Sequence, residues 1–165
     1  FFNHGLNNWL PTLLRTRGLE PSTADLWAMI PTLVGVAGSL LIPRLATPKR
    51  RFPILIALLA SAFLATVLLH ADPGAALGIG LVLQGIARSS LMTVSILILV
   101  ELSEIGPRRA GAVSGLFFSA AEIGGVTGPL ALGAISEATG GFGLALYALS
   151  GIMIALILLA ALVKR

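Results

Sequence analysis

Cysteine is absent from the 165 residues, which removes disulfides, thiolate metal sites and cysteine nucleophiles. Charge is scarce as well. Asp, Glu, Lys and Arg make up 11% of the chain, against about 25% in a soluble domain. So few charges cannot coat a globule of this size, and a free-standing soluble domain is nearly excluded. Aromatic residues are few at 6%, and only His4 and His70 carry an imidazole. No phosphate loop, metal cluster or nucleophile beside a base can be assembled from this inventory, so an enzyme is not expected and no cofactor is called for. The net charge of +4 and pI near 10.7 fit nucleic acid in principle. However, no basic run is interleaved with aromatics as single-strand binding requires, and Lys and Arg flanking membrane segments give the same balance. The chain opens Phe1-Phe2-Asn3 with no charged segment ahead of an apolar one. No signal peptide is therefore expected, and the chain reads as a piece of a longer one.

What the sequence has in abundance is apolar residues: 56% of the total, with a mean hydropathy of +0.98. Charges, Pro and Gly divide them into six blocks, Phe1–Leu14, Leu26–Pro43, Phe52–Ala71, Gly74–Val100, Ala110–Ser136 and Phe142–Val163. Each sixth of the chain is about 27 residues, one crossing helix of roughly 20 apolar residues with a short connection. The first block is too short for a core of about 30 Å at 1.5 Å per residue and reads as the second half of a helix. Continuous rather than alternating apolar runs argue against barrel strands. The expected fold is all-α and polytopic, with six transmembrane helices.

Basic residues give an orientation. With six spans, Arg44, Lys49, Arg50, Arg51, Arg108, Arg109, Lys164 and Arg165 share one side, and Arg15 and Arg17 the other. The excess of positive charge places the C-terminus in the cytoplasm. Polarity repeats with a period of three blocks. Blocks one, four and five carry Asn3, His4, Asn7 and Asn8, then Gln84 and Arg88, then Ser119 and Glu122, while the cores of blocks three and six carry no charge. Two three-helix units of inverted topology would produce that period.

Arg88 and Glu122 stand at mid-depth, where a charge costs about 2.5–3.5 kcal/mol on insertion scales. Something in the fold must compensate. Blocks four and five are antiparallel neighbours, so an Arg88–Glu122 pair is geometrically possible. Gln84 lies four residues before Arg88 on its face, and Gly111, Gly115 and Ser119 share a face with Glu122. On the functional reading, Arg88 binds an anionic group and Glu122 carries a proton or tunes the Arg. The alternative is a static ion pair that fixes helix packing. His4, Asn7 and Asn8 put an imidazole and two amides on one helix face, either to bond a ligand or to hold helices together. Trp9 and Trp27 read as interfacial anchors. Gly74-x-x-x-Gly78, Gly111-x-x-x-Gly115 and Gly124-x-x-x-Gly128 allow close helix approach, and Gly128-Pro129 is a candidate hinge.

Several motifs together resemble a known family. They are Asn7-Asn8-Trp9-Leu10-Pro11-Thr12, Gly35-x-x-Gly38 with Pro43-Arg44 and Lys49-Arg50-Arg51, and Gly115-Leu-Phe-Phe-Ser-Ala-Ala-Glu-Ile-Gly-Gly-x-x-Gly-Pro-Leu130 followed by Gly133 and Ala138-Thr139-Gly140. They resemble the C-terminal half, spans seven to twelve, of the major facilitator superfamily, over essentially the whole chain. The Pro-Arg loop and the fifth block most resemble the cyanate and nitroimidazole permease-type branch and related organic-anion carriers. The stretch Gly38 to Arg51 is similar to the superfamily's loop motif, but Ile42-Pro43 stand where its Asp is expected.

The resemblance implies secondary active transport by alternating access, in a bacterial inner membrane, of a small and anionic substrate, with possible proton coupling. The substrate would lie between this half and an N-terminal six-helix half. Blocks one and four would line the cavity, two and five would meet the other half, and three and six would be peripheral. The residues carried forward are Arg88, Glu122, Gln84, His4, Asn7, Asn8 and Ser119 for substrate and coupling, and Gly38, Arg44, Gly124, Gly128 and Pro129 for gating and packing. Efflux of drug-like amphiphiles and a non-transporting membrane scaffold are the alternatives.

Overall fold

The structure, a computed structural model, describes residues 1–101 and 106–163, the side chains of 106–108 and 163 excepted. Lys164, Arg165 and the Arg108 side chain, which count towards the expected orientation, lie outside the described residues. Seven helices make up the described chain: α1 (Phe2–Thr16), α2 (Pro21–Ala28), α3 (Ile30–Leu45), α4 (Arg51–Leu68), α5 (Ala75–Val100), α6 (Gly106–Thr139) and α7 (Gly143–Val163). No strand occurs among the described residues, so the fold is all-α. Five runs are long and apolar enough to cross a membrane: Pro21–Leu45, Arg51–Leu68, Ala75–Val100, Arg109–Thr139 and Gly143–Leu162.

The second block differs from its expected form at its start and in its middle. Helix begins at Pro21 rather than Leu26, because Pro is tolerated in a first turn where no N–H is needed. Asp25 lies inside the helix, exposed, and Arg15, at the end of α1, donates to both of its carboxylate oxygens, at 2.9 and 3.2 Å. The run then breaks at Met29 between α2 and α3. Pro31 has no N–H for the Trp27 carbonyl, and the Met29 N–H closes a tighter bond to Leu26 at 3.1 Å. The fifth block is longer than expected, Gly106–Thr139 instead of Ala110–Ser136. Pro107 falls in its first turn, and Pro129 is accommodated without ending the helix. Gly140, at φ +73, ends it in the left-handed region.

In lipid, apolar surface alone does not drive helices together, so close approach and interhelical hydrogen bonds must do so. Helix α5 is central, packed chiefly on α3 and α4; α4 also packs on α7, and α1 on α6 and α2. The α1 stripe Leu6, Leu10, Leu13 and Leu14 is buried and belongs to one core with Leu77 and Leu81 of α5, Leu132 of α6, and Leu146 and Leu149 of α7. Gly85 lets α5 lie on Pro31, where a Cβ would stand 2.5 Å from the Pro31 carbonyl oxygen. Between α4 and α7, the buried Thr66 and Ser150 hydroxyls meet at 2.7 Å.

Three glycine pairs with the same spacing meet different fates. Gly124 and Gly128 lie against α1, with Phe1 backbone atoms 3.0 and 2.7 Å from the Cβ each would carry. Gly78, Gly111 and Gly115 have nothing within 4 Å of such an atom, and Gly74 meets only its own turn. Close approach through those two pairs is therefore not found among the described residues. Spacing shows only that an approach is possible, and the opposing helix decides it.

Candidate functional site

Helix α5 runs unbroken from Ala75 to Val100 and holds Arg88 near its middle. The side chain is half-buried, and its Nη1 donates to Asn7 Oδ1 of α1 at 2.7 Å. Bonds in which one partner is charged are roughly twice as strong as neutral ones. The amide satisfies one donor of the guanidinium and leaves its charge unneutralised. Beside this pair lies a cavity of about 490 Å³, bounded by α3 and α5, with Asn3 of α1 and Phe118 of α6. Its wall carries the Arg88 guanidinium, the Asn3 amide and the hydroxyl-bearing Thr32, Ser39, Ser89 and Thr93, set among Gly35, Val36, Met92 and Ile96.

The expected Arg88–Glu122 pair is not formed. Among the described residues the ion pairs are Arg15–Asp25 and Arg51–Glu101, and Glu122 is exposed on α6. Chain adjacency suggested that α5 and α6 face each other along their length, but α6 packs mainly on α1. Ser119 is exposed on the same helix and does not line the cavity. His4 is exposed and lies along α6 at Gly125, where a Cβ would stand 3.2 Å from its Cδ2; Asn8 is also exposed. Of the three polar residues on the α1 face, only Asn7 reaches Arg88.

Gln84 is fully buried one turn before Arg88, and neither atom of its amide has a hydrogen-bond partner. Trp9 is half-buried. Its Nε1 donates to the Pro129 carbonyl at 2.8 Å, and its ring packs on Gly133 and Phe142. The Gly128-Pro129 step is therefore clasped by α1.

Gly38 is buried, and its carbonyl accepts from Ser90 Oγ at 3.2 Å. Arg44 is exposed in the last turn of α3, where its charge suits the helix dipole. The engaged member of the basic cluster is Arg51, whose side chain is 12% exposed and pairs with Glu101 at the end of α5. Its Nε also donates to the Ala46 carbonyl at 3.0 Å, so one guanidinium joins the start of α4 to the ends of α3 and α5.

Sequence reasoning missed Asn3, Thr32, Ser39, Ser89 and Thr93 as cavity residues. A signal was available: Thr32, Gly35, Val36 and Ser39 recur at helical spacing, as do Gly85, Ser89, Met92 and Ile96. Each serine or threonine is unremarked inside an apolar helix because its hydroxyl can bond the preceding turn, as Ser89 does to Ile86 at 3.1 Å.

No curated protein and no solved structure matches the chain. The family model for the Major Facilitator Superfamily matches residues 1–165. The cavity with a half-buried cation at mid-span is thus found in a transporter rather than an enzyme, and the chain belongs to the major facilitator superfamily.

Proposed function

We propose that the chain is the C-terminal half, spans seven to twelve, of a secondary active transporter working by alternating access. On this reading its substrate is a small organic or inorganic anion, as in the cyanate and nitroimidazole permease-type branch. The observation that carries the reading is Arg88. Its guanidinium lines the cavity and is held by a neutral amide, and no carboxylate among the described residues lies within ion-pair distance of it. A buried charge is costly unless paired, and an entering anion supplies the missing partner. Asn3 and the hydroxyls of Thr32, Ser39, Ser89 and Thr93 add uncharged donors, which suit a small oxygen- or nitrogen-bearing anion.

An N-terminal six-helix half closes the other side of the cavity. The exposed apolar residues of α2, α3 and α6, such as Leu33, Val36, Leu40, Leu116 and Ile123, support α2–α3 and α6 as the surfaces that meet it. The two inverted three-helix repeats and the cytoplasmic C-terminus, from the polarity period and the basic residues, and the bacterial inner membrane that the family resemblance implies complete the reading. Glu122, exposed on α6, is the candidate proton carrier and acts apart from Arg88.

Uptake of labelled small anions, cyanate and short carboxylates among them, by the intact protein tests the proposal. Arg88→Gln should abolish uptake while the protein still reaches the membrane, and Arg88→Lys should keep the charge but raise KM by about tenfold or more, because the planar fork is lost. Normal uptake by Arg88→Gln overturns the anion reading.

A further inference from the structure

Side-chain hydrogen bonds sort the helices into two sets. Trp9 to the Pro129 carbonyl joins α1 to α6, and Arg15 to Asp25 joins α1 to α2. In the other set, Ser90 to Gly38 joins α5 to α3, Arg51 joins α4 to α3 and α5, and Thr66 with Ser150 joins α4 to α7. Among the described residues, Arg88 to Asn7 is the one side-chain hydrogen bond between the sets. Across that division the chain also continues from α2 into α3 through the break at Met29, and α6 touches α5 and α7; much of the remaining contact is the leucine core, which is non-directional.

A second observation concerns the same guanidinium. Gln84, one turn earlier on α5, is fully buried with both amide atoms unpaired. An unpaired buried amide costs stability. Helical side chains lean towards the N-terminus, which carries Arg88 over the turn that holds Gln84.

We infer that Arg88 alternates between two acceptors. In the conformation seen here it bonds Asn7 Oδ1 and ties α1 to α5, leaving Gln84 unpaired. In the other it bonds Gln84 Oε1 within α5, and α1 with α2 and α6 is released. Each arrangement leaves one amide without the guanidinium, so the two are close in energy and a modest bias selects between them. The inference rests on the reading of Arg88 as the anion's ligand. An anion in the cavity competes with Asn7 for the same donors. It also neutralises the guanidinium, which lowers the cost of drawing it towards the buried Gln84. Occupancy of the site is thereby converted into freedom of α1 to move.

The test uses the intact transporter without substrate. These 165 residues hold no cysteine; with any cysteine elsewhere in the intact protein replaced by serine, Thr12→Cys on α1 and Ile79→Cys on α5, both exposed, accept spin labels for distance measurement. Asn7→Ala should shift the population ratio away from the linked form by about fivefold or more, and Gln84→Leu should shift it towards the linked form by a similar factor. In an Arg88→Gln background both substitutions should be silent. Shifts in the same direction, an unchanged distribution, or undiminished effects without Arg88 overturn the inference. If Asn7→Ala fails to reach the membrane, Asn7→Asp decides: an ion pair with Arg88 must move the distribution towards the linked form, and no movement refutes the link. Normal anion uptake by Arg88→Gln would remove the substrate reading alone, since the distances judge the link independently.

Discussion

The contact between α3 and α5 forms the wall of the cavity, and it depends on Gly85 having no side chain. A Cβ there would stand 2.5 Å from the oxygen, 2.8 Å from the Cα and 3.0 Å from the carbonyl carbon of Pro31. A comfortable contact needs about 3.5 Å, so Gly85→Ala must separate the two helices by about 1 Å. All three atoms belong to backbone, which cannot rotate out of the way, and overpacking of this kind costs about 1–3 kcal/mol. Alanine is also the better helix former by about 1 kcal/mol, which blurs the clash if it is measured alone. Gly151→Ala, inside α7, carries the same propensity gain with nothing within 4 Å, so the difference between the two variants isolates the clash. Gly38→Ala should fall between them, because it meets the Ser89 hydroxyl at 2.6 Å, the end of a side chain that can turn away. Thermal unfolding of the detergent-solubilised intact protein should rank the midpoints Gly151→Ala, Gly38→Ala, Gly85→Ala from highest to lowest. Widening the seam beside Arg88 should raise KM in Gly85→Ala more than in Gly38→Ala. Equal midpoints for Gly85→Ala and Gly151→Ala would refute the packing of α5 on Pro31.

Other perturbations address the remaining ties. A double-mutant cycle of Thr66→Val and Ser150→Ala should show a coupling of about 0.6–1.7 kcal/mol across α4 and α7; a coupling of zero removes that hydrogen bond. Arg51→Gln should destabilise the protein by about 1 kcal/mol or more through loss of Glu101 and the Ala46 carbonyl. Arg50→Gln, an exposed neighbour with the same change of charge, should stay within about 0.5 kcal/mol in the same unfolding assay. Glu122→Gln should make uptake independent of external pH while retaining substrate affinity, because the exposed carboxylate lies away from Arg88. A pH profile unchanged in that variant would acquit Glu122 of carrying the proton.

Helix type was legible because it rests on chain-local physics. Continuous apolar runs ending at Gly, Pro or charge mark helices, and α4, α5 and α7 begin and end within a few residues of the apolar limits. The misjudged limits depend on partners remote in sequence or on position within a turn. Asp25 falls outside the apolar block that starts at Leu26 yet inside α2, where it is exposed and paired with Arg15. Pro31 carries a break that sequence could have shown, since a proline five residues into an apolar block removes one N–H wherever it stands. The glycine pairs were legible as candidates only, since a helix that presents no side chain has still to be approached by another.

The site was legible to the extent that a charge at mid-span demands compensation, which singled out Arg88. Its partner was not, because an amide can accept from a guanidinium as a carboxylate does, and α6, next in sequence to α5, packs mainly on α1. Asn7 Oδ1 satisfies one donor at 2.7 Å without neutralising the guanidinium. The difference matters for transport. A carboxylate at that distance would hold Arg88 in a closed pair, and an incoming anion would have to displace a full charge in a low dielectric. An amide holds the side chain in place while leaving its charge available. The substitution Asn7→Asp is therefore expected to weaken anion uptake as it strengthens the link between α1 and α5. That opposition between binding and tethering is the reason a neutral residue at position 7 serves the cavity better than the acid the sequence led one to look for.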